Sequence, residues 1–215
     1  MIFVNFKTYQ EGTGKEAVKL AKICQAVERK TSVKVIPLVQ SVDLFSLSSQ
    51  GFPVWSQHLD DIGFGSNTGQ ILPQAIVAAG AKGTLLNHSE CKLPVEVVKE
   101  TIRRCRALKL KVLVCADNLE EAQAILEARP DFLAYEPPEF IGSQTDSVAS
   151  TKPEVIKDFT EAIKGIPVLV GAGIHSQKDV KIALKLGAKG ILVATDVVLA
   201  EKPEEELLDL VGGFK

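Results

Sequence analysis

The sequence predicts an α/β fold in which eight parallel strands close into a single (β/α)8 barrel. Two observations carry that expectation. Short β-branched apolar runs alternate with amphipathic helical stretches from one end of the 215 residues to the other, and such alternation implies parallel pairing through right-handed crossovers. The strand–helix units number eight, which suits closure into a barrel. No linker or composition break divides the chain, so residues 1–215 are expected to form one domain. The alternative is an open doubly wound sheet. Roughly 27 residues per unit is lean for a barrel of the usual ~250 residues, so several helices must be short.

The first strand is Ile2 to Phe6. A helix from Lys15 to Arg29 follows, with Val18, Ala21, Cys24, Gln25 and Val27 near one 3.6-residue stripe. The second strand, Val33 to Ile36, is stopped by Pro37, and a short helix runs from Val42 to Leu47. Val54 to Ser56 is the third strand. A long polar loop, Gln57 to Gln70, leads to a helix from Leu72 to Ala79, which ends at Gly80. Gly83 to Leu86 and Pro94 to Leu108 form the fourth unit; Lys111 to Cys115 and Leu119 to Ala128 form the fifth. The sixth strand is Phe132 to Tyr135. A second long loop, from Glu136 to about Thr151, follows it, and Pro153 opens the next helix as a first-turn proline. Val168 to Val170 is the seventh strand. Ser176 and Asp179 resemble a capping box ahead of Val180 to Leu186. Ile191 to Val193 and Glu204 to Val211 close the pattern.

Composition excludes several classes. Hydrophobic residues make up 46% and charged residues 24%, an ordinary globular mixture. Net charge is -2 with the signs interspersed, so no basic face exists for nucleic acid or an anionic membrane. No apolar run approaches the ~20 residues that span a bilayer, and residues 1–5 carry no secretory-leader pattern. Cys24, Cys91, Cys105 and Cys115 are widely spaced and form no Cys-x-x-Cys pair, so reduced thiols in a cytoplasm are expected rather than a metal site.

Chemistry on a parallel barrel sits where the strands end. The first strand leads into Asn5-Phe6-Lys7, the fourth into Asn87-His88-Ser89-Glu90 and the fifth into Cys115. The sixth gives Tyr135-Glu136-Pro137-Pro138, the seventh Gly171-Ala172-Gly173 and the eighth Ala194-Thr195-Asp196. Each residue alone has an ordinary reading: a solvated lysine, a loop histidine, a capping glutamate, turn glycines. Together Lys7, His88 and Glu136 supply what proton abstraction beside a carbonyl requires. These are a fixed cation, an electrophile for the developing oxyanion, and a carboxylate base. The glycines let backbone approach an anion, and the eighth turn offers N–H groups. Cys115 lacks a neighbouring histidine to activate it and is read as packing near the site.

These segments, with Gln57-His58, Ser66-Asn67-Thr68-Gly69, Glu139-Phe140-Ile141-Gly142 and Ile174, resemble triosephosphate isomerase in its shorter archaeal-type form. They fall in the family's order over almost the whole chain. The resemblance implies a TIM barrel that interconverts D-glyceraldehyde 3-phosphate and dihydroxyacetone phosphate through an enediolate, without cofactor or metal. It implies Glu136 as base, His88 as electrophile and Lys7 as substrate-holding cation. Asn5 would order that corner and Glu90 would pair with the lysine. Gly142, on a lid spanning Pro137 to Ser150, would donate a backbone hydrogen bond to phosphate. Gly171, Ala172, Gly173, Ala194 and Thr195 would complete the phosphate site. His88 precedes the helix near Pro94, whose N-terminus could hold the imidazole neutral.

Three places depart from the family pattern. The lid tip reads Gly142-Ser143-Gln144-Thr145-Asp146-Ser147 rather than Gly-Thr-Gly. Asp196 replaces the glycine of an Ala-Ser-Gly turn and is expected to point outward from a helix's first turn. Asn67 replaces a histidine in the third loop. His58 is read as loop scaffold, and His175 as an exposed residue before a helix. The resemblance further implies a homodimer or homotetramer, with the Gln57–Gln70 loop entering a neighbouring subunit. Two alternative functions stay open: a degenerate copy that binds phosphorylated ligands without turnover, and a barrel isomerase acting on another phosphosugar.

Overall fold

A computed structural model describes residues 1–138 and 147–215. Eight parallel strands close into a barrel in sequence order, β1 to β8, and β8 pairs back onto β1. The open-sheet alternative is thereby excluded. The strands are β1 (Ile2–Asn5), β2 (Val35–Val39), β3 (Trp55–Ser56), β4 (Gly83–Leu86), β5 (Lys111–Ala116), β6 (Phe132–Tyr135), β7 (Val168–Val170) and β8 (Gly190–Val193). Around them lie α1 (Gly14–Thr31), α2 (Leu44–Ser48), α3 (Pro73–Ala78), α4 (Val95–Ala107) and α5 (Leu119–Leu126). The second half adds α6 (Val148–Thr151), α7 (Pro153–Ala162), α8 (Gln177–Lys185), α9 (Thr195–Val198) and α10 (Pro203–Gly212).

Pro37 does not stop the second strand; it lies inside β2, opposite Val4. Hydrogen bonds from Ile2 N–H to the Lys34 carbonyl and from Phe6 N–H to the Leu38 carbonyl show that even-numbered residues of β2 face β1. Alternation then turns the Pro37 nitrogen toward β3, whose pairing begins only at Leu38 with Trp55. The missing donor falls where no acceptor strand has begun, so the proline breaks no ladder bond. Two short helices, α6 and α9, interrupt segments expected to be irregular or only a helix start.

Two apolar layers hold the barrel. Phe3, Leu38, Trp55, Leu85, Leu113, Cys115, Ala134, Leu169 and Leu192 fill the interior. Phe3 meets Trp55 edge-on at 5.0 Å and Phe132 at 5.5 Å, geometries that favour aromatic pairs. Outside, strand residues such as Ile2, Val4 and Val114 pack against the buried stripes of the helices, Leu20, Cys24 and Val27 of α1 among them. This alternation is the period-2 consequence of strands covered on both faces. At α8, the Ser176 hydroxyl caps the Asp179 N–H at 3.3 Å, as its capping pattern suggests.

Candidate active site

The C-terminal mouth of the barrel holds a cavity of about 480 Å³. Asn5, Lys7, His88, Glu90, Glu136, Gly171–Gly173, Ala194 and Thr195 all line it. A larger cleft, about 670 Å³, opens at the opposite end beneath β7 and β8; it carries surface lysines such as Lys157 and Lys164 and none of the predicted site residues. Ligand chemistry on this architecture belongs at the strands' C-terminal ends. Among the described residues, no His, Cys, Asp and Glu side chains cluster in threes as a metal site would need.

Lys7 follows β1 in a left-handed conformation, φ 47°. That conformation is uncommon for a residue with a side chain, and here two neighbours over-determine it. Its N–H donates to Asn5 Oδ1 at 3.0 Å, and Gln57 Nε2 donates to its carbonyl at 2.9 Å. The ammonium meets Glu90 Oε1 at 2.7 Å; Lys7 is mostly covered while Glu90 is exposed.

His88 is buried after β4 and does not lie at the start of α4. It caps the tight turn Ser89–Cys91 instead, accepting the Glu90 N–H at Nδ1 over 3.2 Å. An Nδ1 that accepts leaves the ring proton on Nε2. That nitrogen is 3.6 Å from Glu136 Oε1. Burial pushes the imidazole below its ordinary range; Lys7 adds to the shift and Glu90 opposes it. The ring is thus a neutral donor.

Glu136 lies immediately beyond β6, its N–H bonded to the Ala116 carbonyl at 2.9 Å. Its side chain is almost wholly buried, and Oε2 has no hydrogen-bond partner among the described residues. Burial lifts its carboxyl to about 7, against the opposing pull of the Cys115 thiol and the Lys7 ammonium. Such a group can take and return a proton near neutral pH. Cys115 is itself pushed far up by burial and by the adjacent carboxylate, which makes it inert as a nucleophile.

Gly171 has a role that its turn position did not reveal. A Cβ there would sit 2.7 Å from Glu136 Cγ and 3.0 Å from Oε1. The glycine makes room for the Glu136 side chain. Gly173 takes a positive φ of 57°, which carries the chain around the cavity. On the eighth turn the Tyr9 hydroxyl meets the Thr195 hydroxyl at 3.0 Å. Asp196 lies in the first turn of α9, as expected, but it lines the cavity rather than pointing outward, and His175 holds its carboxylate. His175 Nδ1 lies 2.8 Å from Asp196 Oδ2. His175 is therefore half-buried, not exposed, because its ring closes on that carboxylate. His58 holds the third loop as expected, through Asp60 at 3.3 Å. Gly142 and the altered lid tip lie largely outside the described residues.

Sequence reasoning missed a further network behind His88. Asn87, in a left-handed conformation, donates to the Cys115 carbonyl at 2.9 Å and to Glu121 at 2.8 Å. Lys92 meets Glu121 at 2.7 Å and Asp117 at 3.1 Å. The asparagine just after a strand was the available signal, since asparagine is enriched at positive φ.

Proton abstraction beside a carbonyl needs little beyond this arrangement, and the class is that of barrel isomerases that work by proton transfer. Comparison with known proteins narrows the class. A family model described as triosephosphate isomerase matches residues 1–212. The triosephosphate isomerase of Methanobacterium bryantii is 40% identical, covering 99% of this chain and 96% of its own. That of Methanothermus fervidus is 41% identical over 98% and 97%, and that of Methanocaldococcus jannaschii 39% over 98% of each. The chain belongs to the triosephosphate isomerase family. Its reaction is the interconversion of D-glyceraldehyde 3-phosphate and dihydroxyacetone phosphate.

Proposed function

We propose that Glu136 is the base of this isomerisation, with His88 as electrophile and Lys7 as fixed cation. The Glu136 carboxylate removes a proton from C1 of dihydroxyacetone phosphate. The carbonyl oxygen at C2 gains charge as the enediolate forms, and the His88 Nε2–H donates to it. His88 Nε2 gives its proton to O2 and takes the hydroxyl proton from O1, and the resulting Glu136 carboxylic acid returns its proton to C2, giving the aldehyde at C1. Lys7, held by Asn5 and balanced by Glu90, stabilises the negative transition state. Gly171, Ala172, Gly173, Ala194 and Thr195 receive the phosphate through backbone N–H groups, and Gly142 would add one from the lid that excludes water. The observation that carries this reading is the buried Glu136 carboxyl, its pKa raised to about 7 by burial, 3.6 Å from His88 Nε2. Neither the degenerate-copy reading nor another phosphosugar has an observation in its favour.

We further propose that the barrel works as one domain over residues 1–215, in a cytoplasm, and as a homodimer or homotetramer. Phe64, in the long third loop, Val42, just before α2, and Phe45, within α2, are exposed apolar side chains that fit burial against a second copy. Sedimentation of a fully active monomer would refute the assembly. The catalytic reading is tested by assaying chelator-treated protein and Glu136→Gln side by side. Wild type is expected to turn over both triose phosphates, with kcat lower by at least ~10³-fold in the variant. A variant within tenfold of wild type would remove Glu136 from the role of base.

A further inference from the structure

Asp196 is the anomaly of the phosphate end. A carboxylate on the turn that receives a phosphate dianion should repel it. Asp196 and His175 both line the same cavity as Lys7 and Glu136, and they come from the two turns assigned to phosphate. We infer that His175 is a positioning residue that makes Asp196 compatible with phosphate binding, by holding its carboxylate away from the anion. This inference rests on the proposed phosphate site.

The bond has a fixed sense. A carboxylate only accepts, so His175 Nδ1 carries the proton in the 2.8 Å contact with Asp196 Oδ2. Nε2 is buried without a partner among the described residues, so this contact supplies the ring's directional hydrogen bond. The histidine is itself anchored. Its N–H donates to Asp179 Oδ2 at 3.3 Å, and Asp179 accepts hydroxyls from Ser176 at 2.7 Å and Ser150 at 2.8 Å. A buried, well-bonded aspartate thus fixes the backbone from which the imidazole reaches across to α9.

The alternative positions for the carboxylate are unfavourable. On its outer side lies Glu206, whose carboxyl is pushed up by burial, then by Asp196 and Asp209, against a lowering contribution from His175. A carboxylate freed from His175 meets net negative charge behind it, because Glu201, Glu205 and Glu206 line that outer pocket with Lys202, which is already paired with Glu205 at 2.8 Å. It would turn toward the cavity, where it opposes a phosphate. Held by the imidazole, it leaves the turn's N–H groups available.

A double-mutant cycle read by inorganic phosphate, as a competitive inhibitor, and by KM for glyceraldehyde 3-phosphate tests this. His175→Ala is expected to raise both constants by about tenfold, while kcat stays within about threefold. Asp196→Asn placed on that background is expected to restore both constants, because the charge to be held is gone. His175→Asn, which keeps a donor near the Nδ1 position, is expected to rescue in part. A merely structural histidine would give a double variant as weak as His175→Ala, which would overturn the inference. So would a His175→Ala whose constants stay within twofold of wild type. If phosphate fails to compete with substrate in the wild type, the phosphate site falls and the inference with it; normal competition with a flat cycle overturns the inference alone.

Discussion

The two sides of the cavity mouth are built from different materials. On the side of β1, β4 and β6, side chains face the cavity: the Lys7 ammonium, the His88 imidazole and the Glu136 carboxylate. On the side of β7 and β8, the chain offers Gly171–Gly173 and Ala194–Thr195, where backbone is the nearest chemistry. The first side has groups pushed off their ordinary proton affinities by burial. On the second, the His175 imidazole and the Asp196 carboxylate hold one another. Chemistry that moves a proton needs tuned side chains, whereas a phosphate needs donors and the absence of opposing charge.

Gly171 joins the two sides, so substituting it breaks the comparison most sharply. Gly171→Ala is expected to push the Glu136 side chain out of place and lower kcat by ~100-fold, with KM changing far less. Steady-state kinetics on the folded variant checks this. A fall in affinity alone would mean that the glycine serves only the phosphate.

The tuned side carries a stability cost with a definite pH window. The Glu136 carboxyl lies at about 7 when folded, against an ordinary 4.5. Between those values the folded chain holds a proton that the unfolded chain has released. Stability of the wild type therefore falls as pH rises through that window. Glu136→Gln removes the effect. It is expected to be more stable than wild type by about 3 kcal/mol above pH ~7, and by little below pH ~4.5. Denaturant unfolding at the two pH extremes measures the difference; an equal offset at both would leave it unrelated to the carboxyl.

The smallest change belongs to the backbone side. Tyr9→Phe loses the 3.0 Å contact with Thr195. KM is expected to rise by about threefold with kcat unchanged, the worth of one partly exposed hydrogen bond. A matching fall in kcat would blur the division between the two sides.

The same division explains what could be read in advance. Lys7, His88 and Glu136 were legible because their chemistry is written in side-chain identity and the strand rhythm places each at a strand end. The barrel itself was legible for the same reason, since each apolar run fits one strand buried on both faces. Pro37 misled because its tolerance depends on which neighbour its nitrogen faces and on how late β3 begins pairing. The turn that His88 caps went unread because its three residues, Ser89–Cys91, leave no periodic signal. The fit between Gly171 and Glu136 and the bond between His175 and Asp196 are contacts between strand ends far apart in sequence. They form only once β6 pairs with β7 and β7 with β8, and no local pattern announces them.

The central claim is that burial beside β6 gives Glu136 a proton affinity matched to its task. The most direct test is a ¹³C NMR titration of the Glu136 carboxyl in the free protein, assigned by its disappearance in Glu136→Gln. The predicted midpoint is about 7. A midpoint near the ordinary 4.5 would contradict the account.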